Sequence, residues 1–469
     1  MRKAYLLLAA LLLLLFLPGC ATFHNRPLNP RKTASEFEAR SLQSKNLEKF
    51  IEANLKRKIA PWPLKTWDLK TLTLAAFYYN PEMDLARAKW LVSRAGIITA
   101  GARPNPSGRF RPQYHSRHEG ISPWTLKFKF DIPIETAGRR GYRINHARYL
   151  SRAARLDMAM TAWRIRSRLR KDLLSYYYLG RKVKKLAAQK QLLKKIAALY
   201  EARLASGQVS RFALTSSSVA LDKAIFTLSQ ARKKTAVAKA DLAGSLGLPA
   251  SALKGINIAF DGFKKINTSL YRPEMRREAL LGRADIQAGL ERYAASQSEL
   301  QLQIARQYPD IHLGPGYTWD QGDNLWSIAA GLVLPILNQN QGPIAEARAR
   351  RRQARDEFIG LQGRVIRQMD VAFTGYRQSM KGLKAADSLL HGLRVNLKTV
   401  QARFKAGQAD RLALLEARQE LTIAGLSRLD ALIAAQQAAG QLEDALQRPL
   451  NNFDSFPQKA MLKMQGGKR

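Results

Sequence analysis

The feature that most constrains this chain is a repeat at long range. Ala202 to Leu214, ARLASGQVSRFAL, returns 200 positions later as Ala402 to Leu414, ARFKAGQADRLAL. The pairs Ala202/Ala402, Arg203/Arg403, Gly207/Gly407, Gln208/Gln408, Arg211/Arg411, Ala213/Ala413 and Leu214/Leu414 coincide. A period of that length divides the 469 residues into two halves with one plan. Each copy sets a glycine between two long stretches of helix-forming residues, where a left-handed backbone closes one helix and turns the chain into the next. The sequence predicts two helical hairpins with tips at Gly207 and Gly407.

The stretches beside the tips are long. Gly138 to Ser206 holds no proline, and as a helix it reaches about 100 Å; Gly342 to Ala406 reaches about the same. The return helices are Val209 to Leu246 and Arg411 to Gln447, closed by Pro249 and Pro449. Incoming helices are predicted at Glu82 to Ala102, where Asn80 and Pro81 supply a cap and an N1 proline, and at Arg276 to Gln307. A return helix and an incoming helix together nearly match a long one, so two short helices laid end to end can accompany each long helix.

Between incoming and long helix the period falls to two. In Leu126-Lys127-Phe128-Lys129-Phe130-Asp131-Ile132 the apolar residues share one face of a strand, and Lys127, Lys129 and Asp131 share the other. Arg109 to Arg117 is the expected partner, with a turn over Arg117 to Ile121. The second half repeats the arrangement: Ala102-Arg103 and Pro106 return at Ala305-Arg306 and Pro309, and Ile132-Pro133-Ile134 returns as Leu334-Pro335-Ile336. A second hairpin is expected from Asp310 to Trp319 and Leu325 to Ile336, with a turn over Asp320 to Asn324. Tyr114, Trp124, Tyr317, Trp319 and Trp326 suit an aromatic girdle at a membrane interface. Four strands cannot close a barrel, so closure requires several chains.

The net charge of +42 would suggest nucleic acid as a partner, but the N-terminus argues against it. Arg2 and Lys3 precede an apolar run from Leu6 to Leu17, too short to span a bilayer and ordered like a secretory signal. It ends in Leu17-Pro18-Gly19-Cys20, which resembles the lipobox of bacterial lipoproteins, with Cys20 as the lipidated residue and Ala21 directing the protein to the outer membrane. Cys20 is the one cysteine of the chain, which excludes an internal disulfide. The reading divides the chain into a signal peptide (1–19), an extended leader (20–72) in which residues 34–56 can carry a short helix, a first repeat (73–250), a linker (251–273), a second repeat (274–450) and a tail (451–469).

Duplicated plan, hairpins and lipobox together resemble the TolC family of outer-membrane efflux channels over nearly the whole mature chain. Trp67-Asp68-Leu69, Leu72-Thr73-Leu74-Ala75-Ala76, Asn80-Pro81 and Asp131-Ile132-Pro133-Ile134-Glu135-Thr136-Ala137-Gly138-Arg139-Arg140-Gly141-Tyr142-Arg143 are most similar to the branch that serves cobalt, zinc and cadmium exporters. The resemblance implies a mainly α fold with a membrane β-barrel portion. In it a homotrimer builds a twelve-stranded β-barrel in the outer membrane of a Gram-negative bacterium, continued by long coiled-coil helices as an α-barrel across the periplasm. It implies a passive conduit whose tips, at Gly207, Gln208, Arg211, Gly407, Gln408 and Arg411, dock on a periplasmic adaptor joined to an inner-membrane pump. Outer-membrane lipid would be met through the barrel and the Cys20 acyl chains. Acidic residues six and nine positions after the second tip glycine narrow the pore in that family; here these positions are Ala413 and Glu416, with Asp410 nearby, so one acid is kept. Alternatives are the exit duct of type I protein secretion, with the same fold, and a periplasmic coiled-coil adaptor or structural lipoprotein, of another class.

No catalytic motif stands out. The histidines His24, His115, His118, His146, His312 and His391 form no ligand cluster, and His115 with His118 reads as a solvated turn. Met158 and Met160 read as packing residues. No phosphate loop follows a strand, so no cofactor, metal or nucleotide is expected. From Gly138 to Ser206 nineteen Lys and Arg stand against three Asp and Glu, and from Gly342 to Ala406 fourteen against five. Two readings follow: the wet faces of a hollow tube, or an electropositive lumen to which Lys127 and Lys129 contribute.

Overall fold

The computed structural model describes residues 21–117, 119–264, 266 and 273–450. The signal segment with Cys20, His118 and the 451–469 tail lie outside the described residues. The chain divides into two compact units, the first ending at Arg40 and the second beginning at Ser41. In the first, helix α1 (Pro30–Glu38) starts where the Asn29 side chain accepts from the N–H groups of Arg31 and Lys32, with Pro30 at the first helical position.

The second unit runs α2 (Lys45–Leu55), α3 (Leu69–Tyr79), α4 (Pro81–Gly101), β1 (Ser107–Tyr114), β2 (Trp124–Ile134), α5 (Arg139–Ala205) and α6 (Arg211–Leu246). The short α7 (Asp261–Lys264) follows, then α8 (Pro273–Gly282), α9 (Ala284–Ala305), β3 (Ile311–Asp320), β4 (Asp323–Leu332), α10 (Gln341–Lys405) and α11 (Arg411–Leu446). The plan occurs twice, as the tip repeat requires. The long helices α5 and α10 have 67 and 65 residues, and both return helices have 36. Helix α5 packs against α6, α4, α9 and α11, so it serves both repeats.

Three expectations need correction. The leader is not mainly extended: besides α1 it holds α2, and Leu42, Leu47, Ile51 and Trp67 are sealed against α3, α5 and α6 in a core with Leu72, Phe77, Ile165, Leu169 and Leu242. A capping box starts α3: Asp68 accepts from the Thr71 N–H at 2.8 Å while the Thr71 hydroxyl accepts from the Asp68 N–H at 3.1 Å. Secondly, the helix expected over Arg276 to Gln307 is two helices, broken at Arg283 as the first repeat is broken at Asn80. Arg283 is buried, turns its guanidinium onto Asp285 and donates to the Ala445 carbonyl, so its backbone caps α9 rather than continuing α8. Thirdly, β4 ends at Leu332, not Ile336, because β3 starts at Ile311, the partner of Leu332, and offers nothing beyond it to pair with. Strand β2 passes through Pro133 to Ile134 because β3 pairs with it there.

The four strands form one antiparallel sheet in the order β1-β2-β3-β4. Strands β3 and β4 meet through Gln321-Gly322, both at positive φ, a two-residue turn that fits the twist of the strands. No described helix is long and apolar enough to cross a membrane.

Candidate channel wall and docking tips

The sheet register sorts its side chains into two unlike faces. On one, Phe110, Phe128, Tyr317 and Trp326 stand in a single row across all four strands. Their rings touch in sequence, with centroids 4.6, 6.5 and 4.8 Å apart. Toward the turns, Tyr114 meets Trp124 edge-on at 5.2 Å. Toward the helices the face continues with Phe130, Ile132, Ile134, Ile311, Leu313, Ile328 and Leu332, all exposed, Ile328 at 86%. A soluble sheet buries such a face against a second layer; no described element covers this one. Tyr114, Trp124, Tyr317, Trp319 and Trp326 all lie on this one face, with Phe110 and Phe128 beside them.

The opposite face is polar. Lys127 and Lys129 lie on it as expected, across from Arg111 and Arg109. His312 lies 2.9 Å from Asp131, and Thr125 donates to Asp320 while contacting His115 at 2.9 Å. Gly314, Gly316, Ala329 and Gly331 keep this face low on the third and fourth strands.

Below the sheet, the motif that opens α5 fastens the strands to the helices. Arg140 donates to the Gly101 carbonyl at 2.7 Å, and Arg143 donates to the carbonyls of Ala100 and Ala102 at 2.8 and 3.0 Å. The open carbonyl end of α4 is thus closed by cations, which also suit the negative pole of the helix. Arg143 holds Glu135 through both carboxylate oxygens, and that bond keeps the Glu135 carboxyl below its usual range. Arg139 pairs with Asp310 of the second hairpin. In the sequence this motif carries only a likeness to the exporter branch; its role as a clasp is visible only with the carbonyls in place.

At the far ends of the helices the two tips share one geometry. Gly207 and Gly407 both have φ of 71°. The N–H groups of Gln208 and Gln408 reach back to the carbonyls of Arg203 and Arg403, each at 2.8 Å. This is the closure in which a left-handed glycine satisfies the last carbonyls of a helix. Ser210 and Asp410 then cap the return helices by accepting from Ala213 and Ala413. Gly207, Gln208, Arg211, Gly407, Gln408 and Arg411 are all exposed. Asp410 has a further partner, Arg203 of the other tip, at 2.6 Å. The Ala413 N–H and then Arg203 hold its carboxyl below the usual range. Glu416 is exposed and free of any such bond; burial, then Asp410 and Glu420, push it up.

Sequence reasoning missed one group. Arg166 and Arg170 on α5 enclose Glu443 on α11, at 3.0 and 3.5 Å. Beside them Asp444 accepts from the Trp163 indole at 3.0 Å and from Ser167. A signal was present: Glu443-Asp444 is the one acidic pair in the Ala- and Leu-rich end of α11, and Arg166 and Arg170 are one helical turn apart. Among the described residues no three His, Cys, Asp or Glu side chains are grouped to hold a metal ion. Met158 is buried in the first core as expected.

Two long helical hairpins, each carrying a β-hairpin with a bare apolar face, are the plan of the outer-membrane channels whose fold this chain shares. Residues 275–447 match the outer membrane efflux protein family. The chain is similar to the cobalt-zinc-cadmium resistance protein CzcC of Cupriavidus metallidurans, 25% identical over 369 residues that cover 77% of this chain and 86% of that one. Its fold is similar to that of the outer membrane protein VceC from Vibrio cholerae, with a TM-score of 0.65 and 18% identity over 82% of this chain and 97% of that one. The Campylobacter jejuni CmeC outer membrane channel gives a TM-score of 0.66 at 13% identity, over 95% of this chain and 98% of that one.

Proposed function

We propose that the chain is the exit channel of a tripartite efflux system whose cargo includes heavy-metal ions. The observation that carries the channel reading is the aromatic row Phe110, Phe128, Tyr317 and Trp326 on an uncovered apolar face. Lipid is the medium in which such a face is stable without a covering layer. Four strands leave both edges open, and three chains supply the twelve strands that close them. The polar face then lines the pore, and the α-helices carry that pore toward the exposed tips. There Gln208, Arg211, Gln408 and Arg411 meet a periplasmic adaptor that connects to a pump. Cys20, acylated, would add a lipid anchor. Of the two acids considered for the constriction, Glu416 is the free one, since Asp410 serves as cap and ion-pair partner. The metal reading is supported by the similarity to a cobalt-zinc-cadmium resistance protein.

The purified protein in planar bilayers should give discrete single-channel conductance, with the mass of a trimer in detergent. A monomer that never conducts, and that stays soluble without detergent once residues 1–20 are removed, would instead fit an adaptor. For cargo, a strain deleted for this chain should lose resistance to zinc, cobalt or cadmium and regain it from a plasmid copy; unchanged tolerance to all three sinks the metal reading and leaves the channel reading intact.

A further inference from the structure

The polar face of the sheet carries charge of one sign at mid-height. Register sets Arg109 opposite Lys129 and Arg111 opposite Lys127, two like-charged cross-strand pairs in successive rows of one face. Like charges directly opposite each other weaken a sheet, so stability gives no reason for the arrangement. The acids of this face stand toward its ends and are engaged elsewhere: Asp131 with His312 at 2.9 Å, Asp320 with Thr125. Asp323 pairs with Asp320 beside the turn. The next strand sets Gly316 and Thr318 beside Lys129 and Lys127. A Cβ on Gly316 would lie 2.7 Å from the Ser327 hydroxyl and 3.5 Å from Lys129 Cγ. The bare glycine leaves the lysine stem its room, and no counter-charge faces the four cations from β3 or β4 at these rows.

We infer that Arg109, Arg111, Lys127 and Lys129 form a cationic belt that makes the barrel selective for anions, and that cargo crosses it as a species of net negative charge. The inference rests on the reading that the polar face lines the pore. A ring of like charge on a low-dielectric wall raises the local concentration of counter-ions and excludes ions of its own sign. A bare divalent cation is repelled by this belt. A metal leaving through it therefore travels within a complex whose ligands bring more negative charge than the metal brings positive.

The test is the reversal potential of the purified full-length channel in neutral-lipid planar bilayers under a potassium chloride gradient. The wild-type channel should favour chloride over potassium. Arg109→Gln, Arg111→Gln, Lys127→Gln and Lys129→Gln combined should lower that permeability ratio at least about twofold. Pyrophosphate added on one side should block the wild-type current and have little effect on the fourfold variant. A cation-selective wild type, or a fourfold variant with an unchanged ratio, overturns the belt; a preparation without pores overturns the conduit reading beneath it. Should the fourfold variant fail to assemble, Lys129→Cys serves in its place. Its thiol, in an already inserted pore, takes a sulfonate or a trimethylammonium through methanethiosulfonate reagents. The sulfonate should lower the anion preference and the trimethylammonium restore it, and indifference to both reagents refutes the proposal.

Discussion

Glu443 and Arg166 approach to 3.0 Å with side chains only 1% and 2% exposed. They lie 277 positions apart, one in each repeat, and Arg170 shares the same carboxylate oxygen at 3.5 Å. Gly440 makes room for it, since any Cβ there would collide with the Arg170 guanidinium.

Removing the carboxylate leaves two guanidinium groups out of reach of water. Breaking a buried pair from one side costs about 3–5 kcal/mol, whereas an exposed pair is worth about 0–1 kcal/mol. Glu443→Ala should therefore lower the thermal unfolding midpoint, followed by circular dichroism, far more than Arg292→Ala, which cuts the half-exposed pair with Asp157. Equal shifts would mean that water reaches Glu443.

The tip should respond to acid. Asp410 is held below its usual range by the Ala413 N–H and by Arg203, so what it adds to stability is complete above its unfolded value, about 4, and is lost as pH falls through the lower folded one. Glu416 acts in the opposite sense: its folded value is raised, so its ionisation costs stability as pH rises through the unfolded value. Hydrogen-exchange protection at Leu412 and Ala413 should fall below about pH 4. Asp410→Asn, which keeps a cap but no charge, should show reduced protection already at neutral pH. Protection that stays flat with pH in the native chain would remove Asp410 as the latch between the tips.

A Cβ added at Gly207 or Gly407 would meet nothing within 4 Å, so alanine there is opposed by backbone conformation alone. At φ of 71° that opposition amounts to about 1–2 kcal/mol for each tip. Gly407→Ala should raise exchange at the tip amides without altering the sheet, and Gly407→Asn should do so less. An alanine variant as protected as the native tip would show that the left-handed turn is not required.

The apolar face makes a demand that a water-facing surface would not. Ile328→Arg on a solvated surface would change stability by less than about 0.5 kcal/mol, but on the lipid face of a barrel by about 2–4 kcal/mol near mid-membrane. The variant should lose most of its assembled oligomer from the outer-membrane fraction. Normal recovery would take the lipid away from this face.

Much of this was readable from the chain, and for a definite reason. The two tips, the return helices and the prolines after them rest on local rules of backbone geometry, and the duplication states each rule twice. Strand β2 was legible because its alternation is regular; β1 lay two residues from its expected start because Pro112 and the loop after Tyr114 blur the pattern. The break at Asn80 announced itself with a cap and a proline, while that at Arg283 did not, since an arginine signals a helix interior until its side chain is seen on Asp285 and Ala445. Arg166, Arg170 and Glu443 were missed for a similar reason, their spacing being a faint signal beside so many other charges. A charge on a long helix reads as solvated, and only tertiary packing shows which few are enclosed.

The core around Trp67, Leu72, Phe77, Leu169 and Leu242 draws its buried members from residues 42–263, and the one around Val365, Met369 and Leu442 draws its own from residues 279–450. A chain delivered N-terminus first can therefore condense its first half before the second has arrived. The enclosed charges join only when residue 443 comes into reach, after both cores have their residues. Apolar surfaces tolerate a slipped fit, whereas Arg166 and Arg170 reach Glu443 only when the second half docks in its native register.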